Sequence, residues 1–225
     1  MTGTAGVVRA SVGQCGDTAY YALYSDGSLQ ITGSGAIYDD AFLRREEISK
    51  VMLSEGITKI GDYAFSSTGN DMILGVNYGT ESINISSAIT SIGERAFQST
   101  RLKTITIPSS VVAIGDNAFN NSALTTAKIE SPLMGSYMFV RCSNLRNLTV
   151  SKNCKTFGSN MLTYCSGLST ITYEGTITQW NAITKPTNWI CSADNYWNGY
   201  LTKIQCTDGY LSYDETNHTW NEVKS

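Results

Sequence analysis

Histidine occurs once in the 225 residues, at His218. A Ser-His-Asp or Cys-His site would have to be built on that one imidazole. It stands in a polar tail, Asn217-His218-Thr219-Trp220, where a solvated or locally hydrogen-bonded side chain is the simpler reading. No phosphate-cradling glycine loop occurs, and Gly33-Ser34-Gly35 is too short to count as one. Paired carboxylates such as Asp39-Asp40 and Glu46-Glu47 are adjacent, so they point apart on any regular element. The chain therefore reads as no enzyme, with no cofactor. Cysteine is sparse, at 6 residues with no CxxC pair, so a structural zinc site is not expected. Charged residues make up 16%, the net charge is −3, and no basic stripe appears, which argues against a nucleic-acid partner. No run approaches the roughly 18 apolar residues of a membrane span. The opening Met1-Thr2-Gly3-Thr4-Ala5-Gly6 has neither a basic n-region nor an apolar h-region, so no signal peptide is expected there.

What the chain does have is a repeat. Ile60-Gly61-Asp62-Tyr63-Ala64-Phe65 returns as Ile92-Gly93-Glu94-Arg95-Ala96-Phe97 and as Ile114-Gly115-Asp116-Asn117-Ala118-Phe119. Two weaker copies follow, Met134-Gly135-Ser136-Tyr137-Met138-Phe139 and Phe157-Gly158-Ser159-Asn160-Met161-Leu162. The glycines lie at spacings of 32, 22, 20 and 23, nearly one period apart from a single insertion.

Each copy follows a short alternating run: Val51 and Leu53, Ile83 and Ile85, Ile105 and Ile107, Ala127 and Ile129, Leu148 and Val150. Ile171 and Tyr173 begin a sixth. A period of two is the mark of a strand with one buried face. One coil then reads as follows. Thr104-Ile105-Thr106-Ile107 forms a strand, and Pro108 ends it because it cannot donate to a ladder. Gly115 allows a tight corner. Asp116 caps a short helical turn that carries Ala118 and Phe119 inward. Some 22 residues cannot bury such an apolar set alone, so stacking must do it, Phe on Phe and Ile on Ile, with the strands parallel. The fold expected is a β-rich leucine-rich-repeat-like solenoid with short helical turns and a parallel sheet on one face. The two weaker copies lack the Ala-Phe pair, which predicts looser packing there.

Residues 1–50 are read as an N-terminal extension and β-hairpin cap, on the strength of Asp26-Gly27 between two apolar runs. Residues 51–173 are the solenoid. The insertion between Ser66 and Glu81 is a loop or β-excursion, a place where repeat arrays often carry function. Residues 174–225 hold all four tryptophans, Trp180, Trp189, Trp197 and Trp220, and form an aromatic-rich C-terminal cap. These rings either plug the end of the core or form a sugar- or peptide-binding platform.

The hexapeptide, the run Ile105-Thr106-Ile107-Pro108-Ser109-Ser110-Val111, and the segments Arg141-Cys142-Ser143-Asn144-Leu145 and Tyr164-Cys165-Ser166-Gly167-Leu168 resemble the BspA-type leucine-rich repeat family. Cys15-Gly16-Asp17 with Ser25-Asp26-Gly27-Ser28-Leu29 resembles the cap that often precedes such repeats. Tyr173-Glu174-Gly175-Thr176, Gln179-Trp180 and Cys206-Thr207-Asp208-Gly209 resemble the segment that often follows. The resemblance implies a bacterial surface or secreted protein used for adhesion, bound to a protein or glycan on a cell surface. Similar repeats in phage proteins leave a virion component as the alternative, and carbohydrate binding through the C-terminal aromatics is a third reading.

Cys142 and Cys165 occupy one slot, three residues after Phe139 and Leu162, that holds Thr68, Thr100 and Ser122 elsewhere. A small half-polar side chain fits it without a bond, although stacked coils could bring the two sulfurs within disulfide range. The outward strand row, Met52, Asn84, Thr106, Lys128, Thr149 and Thr172, is one candidate recognition surface. Tyr78 on the insertion and Trp189, Tyr196 and Trp197 in the C-terminal segment are its rivals, since strong binding surfaces favour large aromatics.

Overall fold

The computed structural model describes residues 8–67, 79–190 and 200–224. Strands β1 (Arg9–Gln14), β2 (Thr18–Tyr24) and β3 (Ser28–Ala36) form an antiparallel meander. Its second turn holds Gly27 at φ 81°, and Asp26 Oδ1 accepts from the Ser28 N–H at 2.9 Å. The expected hairpin cap is present, extended by β1, whose mostly exposed residues carry no apolar alternation to announce it.

The solenoid grows from β3. Short strands follow along the chain: β4 (Lys50–Leu53), β5 (Ile57–Ile60), β6 (Ser82–Ile83), β7 (Ser91–Ile92), β8 (Thr104–Ile107), β9 (Ala113–Ile114), β10 (Thr126–Ile129), β11 (Asn147–Val150) and β12 (Thr170–Tyr173). Helix α1 (Ile177–Asn181) leads to β13 (Lys203–Cys206), β14 (Gly209–Asp214) and β15 (Thr219–Lys224). Strands β8, β10, β11, β12 and β13 pair in parallel and in register, so Ile105, Ala127, Leu148, Ile171 and Ile204 form one buried column. On the N-terminal side Leu29, Val51 and the half-buried Ile83 form another. A second face is made by β3, β5, β7 and β9, again parallel. Antiparallel β14 and β15 close the C-terminal end.

The third side is a ridge of turns, and here the expected helical turns are not formed. Asn117, Phe119 and Asn121 donate their backbone N–H groups to the carbonyls of Ser136, Met138 and Val140 in the next coil, at 3.0, 3.0 and 2.8 Å. Tyr63, Phe65 and Ser67 do the same toward Glu94, Ala96 and Gln98. Alternate amides thus point along the solenoid axis instead of back along the chain, which leaves no α-helical ladder. Asp116 accordingly caps no helix. The geometry places the fourth hexapeptide position in the left-handed region, as at Tyr63, Arg95, Asn117, Tyr137 and Asn160, with φ from 50 to 60°. Among the described residues α-helix is confined to α1, held by a capping box between Thr176 and Gln179.

Stacking of like on like is as expected. Phe42, Phe65, Phe97, Phe119 and Phe139 form a continuous pile with centroids 5.2 to 5.8 Å apart. Phe42 belongs to a motif copy ahead of the five read from the sequence, Ile37-Tyr38-Asp39-Asp40-Ala41-Phe42, with Tyr38 in the glycine position. The glycines exist because the preceding coil's backbone passes beneath them. A Cβ on Gly61 would lie 2.6 Å from Asp39 N and Ile37 O, and one on Gly115 would lie 2.3 Å from Glu94 N. Tyr38 follows the cap instead, donating its N–H to Cys15 O at 2.7 Å and its hydroxyl to Asp17 at 2.9 Å.

The weaker copies are not loosely packed. Met138, Phe139, Met161 and Leu162 are fully buried, the unbranched methionines filling the place of alanine. Most of the insertion, residues 68–78, lies outside the described residues, as does Tyr78.

Candidate functional site

Two surfaces stand out among the described residues. The first is the outward face of the strand column. Thr106, Lys128, Thr149, Thr172 and Gln205 are successive in-register partners, so the row expected from period-two alternation is continuous across these strands. Thr106 and Thr172 are exposed, Lys128 and Thr149 half-buried. Met52, in the separate N-terminal sheet, and Asn84, just after β6, line a shallow cleft of about 380 Å³ with Lys50 and Ser86. Lys128 Nζ sits 2.9 Å from a Glu130 carboxylate oxygen and 3.4 Å from one of Glu174. The hydrogen bond to Glu130, then the charge of Glu174, hold its ammonium above the ordinary lysine range. At the C-terminal end Lys203 Nζ lies 4.3 Å from the centre of the Tyr210 ring. The face is a strip of hydroxyls and amides with one charged cluster. Such a strip can meet a flat polar partner.

Of the described aromatic residues after β12, Trp180, Trp189 and Trp220 pack in or against the core, while Tyr200 is exposed. Trp180 is 3% exposed and meets Phe157 and Tyr173 edge-on at 5.4 and 5.3 Å. Trp189 is half-buried against Phe157 and Trp180, at 5.4 and 5.9 Å. Lys185 Nζ donates to the carbonyls of Trp180 and Ile183 and lies 5.0 Å from the Trp180 ring, where burial lowers its pKa to about 8. Tyr196 and Trp197 lie outside the described residues. His218 faces the Tyr213 hydroxyl, 3.1 Å from Nδ1, on an exposed turn.

The cysteine slot is satisfied without a bond. Cys142 Sγ donates to Phe119 O at 3.1 Å and Cys165 Sγ to Phe139 O at 2.9 Å, and no disulfide joins the two. Among the described residues no three His, Cys, Asp or Glu side chains come together as a metal site, and no helix is long and apolar enough to cross a membrane.

The second surface lies on the ridge of turns, and the sequence does not single it out. A groove of about 430 Å³ runs across the coils there. Its lining includes Arg95, Asn117, Tyr137 and Asn160, the left-handed fourth positions. Arg141 and Tyr164, two residues after the last motif position and again left-handed, line it too. So do Gln98, Asn120, Val140 and Thr163, one residue after that position. The only sequence signal is this register, which becomes visible once stacking aligns the copies.

Comparison with known proteins places the architecture. The sequence model described as "BspA type Leucine rich repeat region" matches residues 9–74 and 76–184 in 6 copies. A search of curated proteins gave no match. A leucine-rich repeat protein from Eubacterium ventriosum superposes with a TM-score of 0.63 at 21% identity, covering 94% of this chain and 48% of that one. The chain thus spans about half the length of that protein. The T. pallidum leucine-rich repeat protein gives a TM-score of 0.45 at 18% identity, over 69% of this chain and 91% of that one. A leucine-rich repeat protein from Bacteroides ovatus gives 0.36 at 15%, over 90% and 76%. The first of these supports the fold that the strand columns and stacked phenylalanines already define. With its repeat matched along most of its length, the chain belongs to the BspA-type leucine-rich repeat family.

Proposed function

We propose that this solenoid is a non-enzymatic adhesion or protein-interaction module, displayed on a bacterial cell surface or secreted. The observation that carries the reading is the in-register outward row Thr106, Lys128, Thr149 and Thr172. Parallel, in-register pairing makes it a continuous polar strip, suited to a broad partner more than to a small reacting molecule. Membership of the family supports the same reading, because the resemblance implies adhesion to proteins or other cells.

The test is retention of beads carrying the purified chain on epithelial cells and on other bacterial cells. Wild-type beads are expected to be retained, and a Thr149→Glu/Thr172→Glu variant to lose most of that retention. Both substitutions are on the outward face, so the fold should survive, which circular dichroism checks. Equal retention of the two, or none for either, would overturn the reading. Immunoblots of the cell surface, the medium and purified phage particles decide the location. Recovery in the particles alone would replace display by a virion role.

A further inference from the structure

We propose that the groove on the ridge of turns is a binding site for a neutral saccharide. The case starts from three buried oxygens. Gln98 Oε1, Asn120 Oδ1 and Asn160 Oδ1 have no hydrogen-bond partner in the protein, and their residues are 2%, 3% and 6% exposed. All three residues line the same groove. A buried polar atom without a partner costs a folded protein about 1–3 kcal/mol, and such atoms are rare enough in native proteins to need a reason. The three residues line one groove on three different coils, and a ligand that settles among their amides and donates hydrogen bonds would supply the missing partners.

The surroundings narrow its chemistry. The guanidinium of Arg95 stacks over Tyr63 at 5.5 Å, and that of Arg141 over Tyr164 at 5.4 Å. Two guanidinium groups beside the groove disfavour a cationic donor such as a lysine side chain. The unpartnered amide oxygens disfavour a carboxylate or phosphate. A neutral polyol satisfies both, because each hydroxyl can donate to an amide oxygen and accept from an amide or guanidinium N–H. Tyr137 and Tyr164 are 41% and 48% exposed and line the groove; Arg141 covers one face of Tyr164, which leaves its other face and the Tyr137 ring for the apolar side of a pyranose. The volume falls within the range of small-molecule sites, about 300–1,000 Å³. This groove is separate from the strand face, so either can fail without the other.

The experiment uses the full chain on an array of neutral and acidic glycans, followed by calorimetric titration with maltotriose and with the β-linked N-acetylglucosamine trisaccharide. Neutral glycans are expected to be retained, and one trisaccharide to bind. In Tyr137→Ala/Tyr164→Ala its Kd should rise about tenfold or more, equivalent to about 1.4 kcal/mol. Gln98→Met should weaken binding similarly while leaving Tm unchanged or higher, since it removes a buried unpartnered oxygen; a structural role alone would lower Tm. Lys128→Glu on the strand face should leave glycan binding unchanged. The proposal is overturned if no neutral glycan is retained, if only acidic glycans or peptides bind, or if the tyrosine variant binds as well as the wild type.

Discussion

Asp62 accepts, at Oδ1, a 2.8 Å hydrogen bond from the backbone N–H of Glu94, the equivalent residue one coil on. Asp39 accepts likewise from the Asp62 N–H at 2.8 Å, and Ser136 Oγ from the Ser159 N–H at 3.3 Å. The third motif position therefore joins coil to coil. Asp62→Ala leaves a half-buried amide unpaired. It should lower unfolding free energy by about 1–3 kcal/mol, the range for leaving a buried donor without its partner. Asp62→Asn keeps an acceptor oxygen and should lose clearly less. Urea unfolding of both variants checks this, and equal losses would show that the hydrogen bond is not what position three supplies.

Phe97 lies between Phe65 and Phe119, at 5.5 and 5.2 Å, with no exposed surface. Phe97→Ala opens a cavity that rigid coils on both sides cannot close, so the expected loss is about 3–5 kcal/mol. Phe119→Ala should cost the same for the same reason. The double variant should lose less than the two together, by about 0.5–1.5 kcal/mol, because one ring contact is counted in both. Denaturant unfolding of the four proteins completes the cycle, and strict additivity would mean that the pile is mere adjacency.

Much of this architecture could be read from residue order alone, for a physical reason. A period of two decides which side chains of β8, β10, β11 and β12 are buried, so it also decides which point outward. Thr106, Lys128, Thr149 and Thr172 followed from that without any contact being known. The motif copy at Ile37 stayed hidden because its identifying residue is a consequence of stacking: glycine is demanded only where a preceding repeat runs beneath, and at Tyr38 the cap takes that place. The ridge was hidden for a related reason. Its left-handed positions are filled by Tyr63, Arg95, Asn117, Tyr137 and Asn160, residue types with no common mark. Their conformation is imposed by hydrogen bonds to the next coil, and the buried oxygens of Gln98, Asn120 and Asn160 come together only when coils stack.

The backbone contact beneath the glycines has a direct consequence. A Cβ on Gly115 would lie 2.3 Å from Glu94 N and 2.6 Å from its Cα, both backbone atoms that cannot rotate away. Gly115→Ala must push two coils apart and should destabilise by about 1–3 kcal/mol or more. Tyr38→Ala, at the equivalent place in the first copy, removes a 44% exposed ring and one hydrogen bond and should cost less. A thermal melt of each variant compares them. A Gly115→Ala protein as stable as the wild type would show that the coils can part freely.

The buried thiols make stability depend on alkaline pH. Cys142 and Cys165 have no exposed surface. Burial pushes the Cys142 thiol up to about 11 and that of Cys165 well above the ordinary 9.0. Both remain protonated in the folded chain at a pH where the unfolded chain has already released its protons. Above the ordinary value the unfolded state therefore binds fewer protons than the folded one, and stability falls as pH rises. Below it both states hold the proton and the full stability is present. The urea midpoint should be flat at neutral pH and decline between pH 9 and 11. Cys142→Ala/Cys165→Ala should start lower, having lost two buried sulfurs, but decline less steeply over that window. An aromatic disulfide reagent should label neither thiol in the native protein. Rapid native labelling, or the same slope in both proteins, would show that these thiols are not shielded as the stacked coils require.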